Sequence, residues 1–451
     1  MGLIDVEKIG WDAAYAETSA WLTSTPAPLF EAAIRIEGAL ALADVMLPEP
    51  GGDGLRWRMI EVKSSTRVKD YQRDDIAVQA YIAATAGVRL SSISLAHIDR
   101  SFVYPGNNKY KGLFKENDLT AEAISRRDEV KAWIDGAQAV AARTDEPKVV
   151  TGPHCNNPFT CGFAKYCNRD QVLPAYPLYS LPRLHPSRRE RIETAGYKDL
   201  RDVPDEFLGA IHKCIKQCSI SGETYFDAVG AAADLAPHGF PAFFLDFETA
   251  MFAVPIWKDT RPYQQIPFQF SLHILAENGD LQHHGFLDLS GDDPSRACAQ
   301  SLADLCGDRG PVFAYNSSFE CQIMHELAAR FPEFAPALSA IISRVVDLLP
   351  IAKKRYYHPS QHGSWSIKAV LPALCPDLSY DQLDGVQNGS MAVSAFMEAI
   401  DSATSPERKA EIQSQLSSYC QLDTFAMVRL WQFFSGNPVN SIPTNHEHFQ
   451  T

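Results

Sequence analysis

Residues 243–249, Phe-Phe-Leu-Asp-Phe-Glu-Thr, form an apolar run that ends on two acids and a threonine. Side chains alternate between the two faces of a strand, so Phe244, Asp246 and Glu248 share one face. Burying carboxylates is costly unless they are paired or bind a metal, and hard oxygen ligands suit Mg²⁺ or Mn²⁺. The run predicts a strand with two metal ligands. The alternative is a strand end whose acids face water.

A second predicted strand leads to a further acid. Residues 311–315 are apolar and run into Asn-Ser-Ser-Phe-Glu at 316–320, which opens a helix with apolar periodicity. The sequence leaves two roles for Glu320. It can be a third metal ligand, or it can satisfy amides at the helix start, because Ser317 and Glu320 match a capping box.

Residues 408–433 predict a long helix in which Tyr419 and Asp423 are four residues apart and point from one face. The order of an Asp-x-Glu strand, an acid after a second strand and a Tyr-x-x-x-Asp helix resembles DnaQ-type (DEDD) 3′–5′ exonucleases. Those enzymes have a ribonuclease-H-like fold in which four carboxylates hold two metal ions.

That resemblance implies a role for each matching residue. Tyr419 would orient the attacking water, and the metal ligands would be Asp246, Glu248, Glu320 and Asp423. One position departs from the family, whose third acid is usually Asp. The extra methylene of Glu320 would shift or weaken one metal.

The composition is that of an ordinary globular protein. The chain has 451 residues, 45% of them hydrophobic and 21% charged, which is enough for two or three domains with their own cores. Neither a leader sequence nor an apolar run of membrane-spanning length is present, so we expect a cytoplasmic protein without a membrane partner. Its ten cysteines favour free thiols or metal binding over disulfides.

The formal charge of −14 limits how the chain can bind nucleic acid. Broad electrostatic coating needs many Lys and Arg contacts with phosphates, so any phosphate-binding surface must be a local patch. The charge does not exclude a nuclease, because a bound metal offsets clustered carboxylates.

The first 150 residues predict another α/β domain, with strands bounded by turn residues. Its order is α-β-β-β-α-β, with elements at residues 10–22, 29–36, 39–47, 55–64, 72–86 and 88–104.

The hairpin formed by the second and third of these strands carries the candidate chemistry. A loop centred on Gly52-Asp53 pairs residues whose numbers sum to 105, which places Asp44 opposite Glu61. Opposed like charges destabilise a sheet unless something neutralises them. A divalent cation would do so, with Lys63 one pleat away on the same face. The alternative is a surface hairpin with a ladder of Asp–Lys–Glu ion pairs.

This Asp…Glu-x-Lys arrangement, within that strand order, resembles the PD-(D/E)xK nuclease core, and its flanking residues resemble the RecB-type branch. Asp75, one turn before Gln79, would support the site, and Glu31 is a weaker candidate on the first strand. The main roles that the resemblance implies are metal binding by Asp44, Glu61 and the Val62 carbonyl, positioning of the attacking water by Lys63, and contact of Gln79 with water at the metal or with the backbone.

Three cysteines, Cys155, Cys161 and Cys167, follow this domain. Some RecB-type nucleases, including those of CRISPR adaptation systems, close the domain with three such cysteines and complete a [4Fe–4S] cluster with a fourth near the domain's start. Here the chain contains no earlier cysteine. The open alternatives are that the chain begins inside the domain, that the cluster is absent, or that the fourth ligand is His154, Cys214 or Cys218.

Two stretches near the end of the chain are candidates for contact with nucleic acid. Residues 353–358, Lys-Lys-Arg-Tyr-Tyr-His, combine basic and aromatic side chains that can bind phosphate and stack on bases. The alternative is a solvated helix end. Residues 362–368 open a helix whose free amides suit a phosphate. The predicted contacts are Lys353, Lys354, Arg355, Tyr357 and Lys368.

The predicted fold class is therefore α/β (α+β) with two domains. The predicted segments are a RecB-type nuclease-like domain at 1–150, a cysteine segment at 151–170, a Pro-rich linker and helical bridge at 171–238, a ribonuclease-H-like domain at 239–440 and a tail at 441–451. Proteins that fuse two such domains share the run Gly-Ser-x-Ser-Ile-Lys, found here at 363–368, and the resemblance covers roughly residues 25–435.

These patterns favour a divalent-metal-dependent nuclease that acts on DNA or RNA, single-stranded or with an end. The second domain would hydrolyse from a 3′ end, and the first would contain another nuclease site. One alternative is a nucleic-acid-binding or assembly protein in which one or both sites are inactive. Another is a hydrolase of small nucleotides.

Overall fold

The structure, a computed structural model, describes residues 1–51, 54–170, 172 and 174–436. The chain divides between residues 171 and 172 into two units, and residues 252–264 group with the first of them. The predicted fold class, α/β (α+β) with two domains, is confirmed. The hairpin turn predicted at Gly52-Asp53 and the predicted tail at 441–451 lie outside the described residues.

The first unit is built on a six-stranded sheet whose spatial order follows the chain. Its strands are β1 (Gly2–Leu3), β2 (Leu29–Ile36), β3 (Ala39–Gly51), β4 (Gly54–Lys63), β5 (Leu90–Ile98) and β6 (Phe114–Asp118). Its helices are α1 (Val6–Ile9), α2 (Trp11–Ser24), α3 (Asp70–Thr85), α4 (Thr120–Ser125), α5 (Arg127–Ala141) and α6 (Ala164–Cys167). The run from α2 to β5 has the predicted α-β-β-β-α-β order.

The register of the β3–β4 hairpin is the one that the sequence predicts. The residue numbers of each pair, from Val45 with Ile60 to Gly51 with Gly54, sum to 105. Continuing this register one residue beyond the Val45–Ile60 pair places Asp44 opposite Glu61. β4 then pairs with β5 in parallel, with α3 as the connection between them.

The second unit contains a five-stranded sheet in the order β10-β9-β8-β11-β12. The strands of this unit are β7 (Tyr225–Phe226), β8 (Ala242–Ala250), β9 (Ile266–Leu275), β10 (Leu281–Leu287), β11 (Val312–Ala314), β12 (Val345–Asp347) and β13 (Tyr356–Tyr357). Its helices are α7 (Pro186–Thr194), α8 (Ala210–Ser221), α9 (Ala228–Leu235), α10 (Ser295–Cys306), α11 (Ser318–Arg330), α12 (Ala335–Ile342), α13 (Leu348–Arg355), α14 (Ile367–Leu374), α15 (Gly389–Ile400) and α16 (Pro406–Ser435).

The central strand β8 is covered on both faces, and its side chains alternate as predicted. Phe243, Leu245 and Phe247 pack into a core with α10, α11 and α12. Phe244 points the other way and packs against Trp431 of α16. Because alternate residues share a face, Asp246 and Glu248 point toward α16.

The bridge helices belong to the core of this second unit. Ile192 of α7, Ile215 of α8 and Leu235 of α9 are buried in the same apolar cluster as Phe244. Among the described residues of both units, no helix is both long enough and apolar enough to cross a membrane.

A single glycine fixes how the segment before α14 meets the bridge. Gly363 has a φ of +80°, and a Cβ there would lie 1.6 Å from the carbonyl oxygen of Ser180. We expect Gly363→Ala to lower the free energy of unfolding by about 3 kcal/mol, since the backbone must move apart. Gly222→Ala is the control: its φ is +74° with no atom within 4 Å, so it should cost only about 1 kcal/mol. Urea unfolding measures both, and equal losses would contradict the close contact.

Candidate metal centre

Three carboxylates of the second unit meet where β8 faces α16. One carboxylate oxygen from each of Asp246, Glu248 and Asp423 lies within 4.8 Å of the others. Asp423 is 8% exposed, and Asp246 and Glu248 are half-buried. The structure thus brings Asp423 next to two acids that precede it by 175 or more positions in the sequence.

Polar side chains of β9 hold α16 in this position. Ser271, which lies opposite Asp246 in the sheet, hydrogen-bonds to the hydroxyl of Thr424 at 2.7 Å. The side-chain amide of Gln269 donates to the carbonyl oxygen of Leu416 at 2.9 Å. Ser271 and Gln269 are buried on one face of β9, so their hydrogen bonds fix both the depth and the register of the helix that carries the third carboxylate.

Two tyrosines and a lysine border the carboxylates. Tyr380 donates a hydrogen bond to Oδ1 of Asp423 at 2.5 Å. The Nζ of Lys368 donates to the hydroxyl oxygen of Tyr419 at 3.3 Å and to the carbonyl oxygen of Gln387 at 3.1 Å. The structure therefore brings the predicted residues Tyr419 and Lys368 to the same site. Tyr380 was missed, because it lies on a short turn with no pattern around it.

The three acids disfavour one another's charge. Burial raises the pKa of Glu248 to about 8 and that of Asp423 to about 6. Burial, with the charges of Asp423 and Glu248, raises the pKa of Asp246 well above its usual range. The hydrogen bond from Tyr380 and the charge of Lys368 only partly oppose this effect on Asp423. A site with these properties is one that a divalent cation would stabilise.

Glu320 lies on the first turn of α11 and is 4% exposed. Its charge adds to the rise in the pKa of Asp246. Its oxygens do not belong to the group of Asp246, Glu248 and Asp423 oxygens that lie within 4.8 Å of one another. The Oε2 atom of Glu320 is buried with no hydrogen-bond partner among the described residues. The Ser317 half of the capping box is not formed, because its side chain makes no hydrogen bond to the helix start. The Glu320 carboxylate does have a hydrogen bond with a backbone amide of the first turn, which lowers its pKa, so a capping role for Glu320 stays open. An unpartnered buried oxygen fits a metal ligand.

The raised pKa values predict how the metal-free chain responds to pH. In the unfolded chain these carboxyls release their protons near their ordinary values of 4.5 and 3.8, but in the folded chain Glu248 and Asp423 do so at about 8 and about 6. The folded state therefore binds more protons in this window, and stability falls as pH rises from about 4 to about 8. We expect Asp246→Asn to raise the stability of the metal-free chain at pH 8 by about 2 kcal/mol, or roughly 5 °C in Tm.

Scanning calorimetry in EDTA at pH 5 and pH 8 measures this gain, which should be smaller at pH 5. Asp304→Asn is the matched control, because Asp304 is an exposed acid of the same unit that accepts hydrogen bonds from Gln300. A loss of stability in Asp246→Asn at pH 8 would show that the carboxylates do not repel one another.

The first unit contains the other predicted cluster. The backbone amide of Val62 donates to Oδ2 of Asp44 at 2.6 Å. The Nζ of Lys63 donates to Oε1 of Glu61 and to Oδ2 of Asp75, both at 2.6 Å. These contacts join the predicted residues, but Lys63 bonds Asp75 rather than Asp44. They fit both the nuclease prediction and the alternative of an ion-paired hairpin.

Two buried oxygens of this cluster have no hydrogen-bond partner among the described residues, Oε2 of Glu61 and Oε1 of Gln79. Burial raises the pKa of Glu61 to about 7, despite its hydrogen bond with Lys63, and burial also raises the pKa of Asp44. In the register of β2 and β3, Glu31 lies opposite Asp44, and its φ is 57°. A positive φ is strained for a residue other than glycine.

The cysteine segment does not form a comparable group. Cys155 is buried, whereas Cys161 and Cys167 are exposed. Across the described part of the chain, only the Asp246 cluster has three or more His, Cys, Asp or Glu side chains with ligand atoms within 4.8 Å of one another. Cys214 and Cys218 pack in the core of the second unit. The [4Fe–4S] cluster therefore stays a prediction.

The predicted basic and aromatic stretch at 353–358 needs one correction. Base stacking by Tyr357 is wrong, since Tyr357 is 0% exposed and its hydroxyl accepts a hydrogen bond from the Gly363 amide at 3.1 Å. Pairing of β13 with β7 buries it. Arg355 forms ion pairs with Asp227 and Asp234. Lys354 lies 3.7 Å from Asp234.

Part of the second unit is similar to a family without an assigned activity. A family model described as "Domain of unknown function (DUF2779)" matches residues 243–366. The matched range includes Asp246, Glu248 and Glu320, and it ends before Lys368 and Asp423. No curated protein and no solved structure matches the chain.

Proposed function

We propose that the second unit is a divalent-metal-dependent phosphodiesterase that shortens single strands of DNA or RNA from the 3′ end. The observation that carries this proposal is the group of Asp246, Glu248 and Asp423, whose oxygens lie within 4.8 Å of one another. Three acids at this distance, all with raised pKa values, are far more stable around a cation than alone.

Mg²⁺ or Mn²⁺ suits these oxygen donors. The ligands would be the three clustered carboxylates, with the unpartnered Oε2 of Glu320 as a further donor. A bound ion supplies Lewis-acid stabilisation of the charge that develops at a phosphate, and it makes water more acidic.

The neighbouring side chains supply the remaining functions. Tyr419 precedes Asp423 by one helical turn and its hydroxyl is held by Lys368, so it is placed to orient a water molecule beside the carboxylates. Lys368 carries the positive charge that the predicted phosphate contact requires. It lies over the rings of Tyr380 and Tyr419 at 4.6 and 5.1 Å, which limits where its charge can move.

The topology supports the same proposal. Across the sheet, the strands follow one another as the third, second, first, fourth and fifth in the chain, and the Asp-x-Glu motif lies on the first, which is central. The strand β11 that leads to Glu320 lies next to β8, and α16 packs across the same face. This arrangement is the one that the resemblance to ribonuclease-H-like exonucleases leads us to expect.

The first unit would hold a second nuclease site. Asp44 and Glu61 would hold the metal, and the unpartnered Oε2 of Glu61 supports that role. Lys63 would have to release Asp75 or Glu61 to reach a substrate, since it bonds both.

The test is a time course with the purified chain on 5′-labelled single strands of DNA and RNA, in Mn²⁺ and in EDTA. We expect a ladder of products that shorten one nucleotide at a time in Mn²⁺, and none in EDTA. Equal digestion in EDTA would rule out a metal-dependent site.

A nucleic-acid-binding protein with inactive sites is the second candidate. The position of Glu320 favours this candidate, because this longer acid does not belong to the cluster of Asp246, Glu248 and Asp423. Binding of labelled strands without shortening in Mn²⁺ would select this candidate over the first.

A further inference from the structure

The second unit contains a cavity of about 870 Å³ that the sequence did not predict. Bridge residues form one wall, including Arg183, Arg188 and His212. The opposite wall contains Lys353 and the segment 363–367. We call it the cationic cavity, because the described residues that line it include two arginines and a lysine but no acid.

The three cations of the cationic cavity differ from most others in this acidic chain. Arg189, the neighbour of Arg188 on α7, bonds Glu193 at 2.8 Å, and Arg355 of α13 bonds two aspartates. Within the described part of the chain, the side chains of Arg183, Arg188 and Lys353 have neither an ion pair nor a hydrogen bond. With 55 acids against 41 Lys and Arg residues, positive charge left unpaired on one surface points to an anionic ligand.

The walls between these cations are largely apolar. Ile211, Leu349 and Trp365 contribute to them. Cavities of about 300–1,000 Å³ hold ligands of the size of one nucleotide. An apolar wall for a base or sugar and a cationic rim for a phosphate match the two parts of that ligand.

A buried histidine gives an independent indication of a ligand. His212 is 6% exposed and lines the cationic cavity. Its Nε2 contacts the carbonyl oxygen of Pro182 at 3.0 Å, while its Nδ1 has no partner among the described residues. A polar atom buried without a partner is costly in a protein that has no ligand to offer it.

One chain segment joins the cationic cavity to the carboxylates. Ser366 and Ile367 line the cavity, and the next residue, Lys368, contacts Tyr419 beside Asp423. Consecutive Cα atoms are about 3.8 Å apart. A single strand whose end lies at the carboxylates can therefore place another of its nucleotides in the cavity.

We propose that the cationic cavity binds a nucleotide of the same single strand whose 3′ end lies at the carboxylates. This inference rests on the proposed function for its biological meaning, but its binding test does not depend on hydrolysis. The site would set the minimum length of strand that the second unit holds, and it would do so with bridge residues that lie outside the five-stranded sheet.

The test measures fluorescence anisotropy of a 5′-fluorescein-labelled oligothymidine of 12 nucleotides in EDTA, where no metal-dependent hydrolysis occurs. The chain with Arg183→Ala, Arg188→Ala and Lys353→Ala together is compared with the unmodified chain. We expect affinity to fall at least ~10-fold at 0.1 M salt, and the slope of log K against log salt to lose about 0.7 for each phosphate that the cavity neutralises.

Arg189→Ala is the matched control, since it removes one charge from the same helix but from a side chain that pairs with Glu193. All variants should keep the unfolding transition of the unmodified chain, because Arg183 and Arg188 are exposed and Lys353 is half-buried. An unchanged affinity and salt slope in the triple variant would overturn the proposal. So would loss of binding to a labelled mononucleotide without loss for the strand, which would indicate a free-nucleotide site.

The outcome separates this proposal from the proposed function. Weaker strand binding by the triple variant supports the cationic cavity even if the unmodified chain hydrolyses nothing. If the unmodified chain shortens strands with metal but the triple variant binds them as tightly, the carboxylate site is supported. The cationic cavity then does not bind the strand.

Discussion

Replacing Asp246 by alanine is expected to abolish metal-dependent shortening from the 3′ end, with a loss of at least ~10³-fold, the scale seen when one essential member of a catalytic unit is removed. Asp246 lies at the centre of the candidate site. Its pKa is raised by burial and by the charges of Asp423, Glu248 and Glu320, so it interacts with every other proposed ligand. Without it, the proposed cation loses one of its three clustered carboxylates.

The comparison needs a control for charge and for folding. Asp304→Ala removes an acid from the surface of the same unit and should keep full activity. Because Asp246→Asn is expected to stabilise the metal-free chain, a loss of activity in either Asp246 variant cannot be ascribed to unfolding if its Tm is retained. Activity within a factor of about two of the unmodified chain would show that the cluster is not the active site.

Replacing Lys63 by alanine is expected to destabilise the first unit. Lys63 Nζ lies 2.6 Å from both Glu61 and Asp75, and the side chain of Glu61 is only 5% exposed. Removing the cation leaves a buried carboxylate unpaired. Because the side chain of Asp75 is 41% exposed, solvent screens its interaction with Lys63. We expect Lys63→Ala to lower the free energy of unfolding by about 2 kcal/mol at pH 8, or roughly 5 °C in Tm.

The pH dependence identifies the cause of this loss. Burial raises the pKa of Glu61 to about 7, so at pH 5 it is protonated in the folded chain and needs no cation. The deficit of Lys63→Ala should therefore be smaller at pH 5 than at pH 8. Scanning calorimetry at the two values measures it, and a deficit that does not change with pH would contradict this account.

A second substitution separates stability from activity. Adding Glu61→Gln to Lys63→Ala removes the unpaired charge, so most of the stability at pH 8 should return. Any nuclease activity of the first unit should remain absent, because both variants lack Lys63 and the double variant also lacks a metal ligand. Lys131→Ala is the control, since Lys131 pairs with Asp135 on an exposed face of α5.

The sequence predicted those parts of the structure that local periodicity determines. The alternation of residues 243–249 predicted the two faces of β8, because each face has its own apolar core to fill. The turn at Gly52-Asp53 predicted the register of β3 and β4, since the pairing follows from the centre of the hairpin. The spacing of Tyr419 and Asp423 placed both on one side of α16.

The parts that were missed depend on contacts between distant segments. Tyr380 reaches Asp423 across 43 positions of the chain, and nothing in its neighbourhood predicts that contact. The cationic cavity combines Arg188 of the bridge with Lys353 of α13. Tyr357 was misinterpreted as exposed, because a basic stretch usually faces solvent, whereas here a two-residue strand buries its aromatic side chain.

The most direct measurement of the central claim is a time course on 5′-labelled single strands in Mn²⁺ with four chains: unmodified, Asp246→Ala, Asp44→Ala and the double variant. We expect stepwise shortening that is lost with Asp246→Ala and retained with Asp44→Ala. Shortening lost only with Asp44→Ala would transfer the activity to the first unit. Shortening that persists unchanged in the double variant would contradict both active sites.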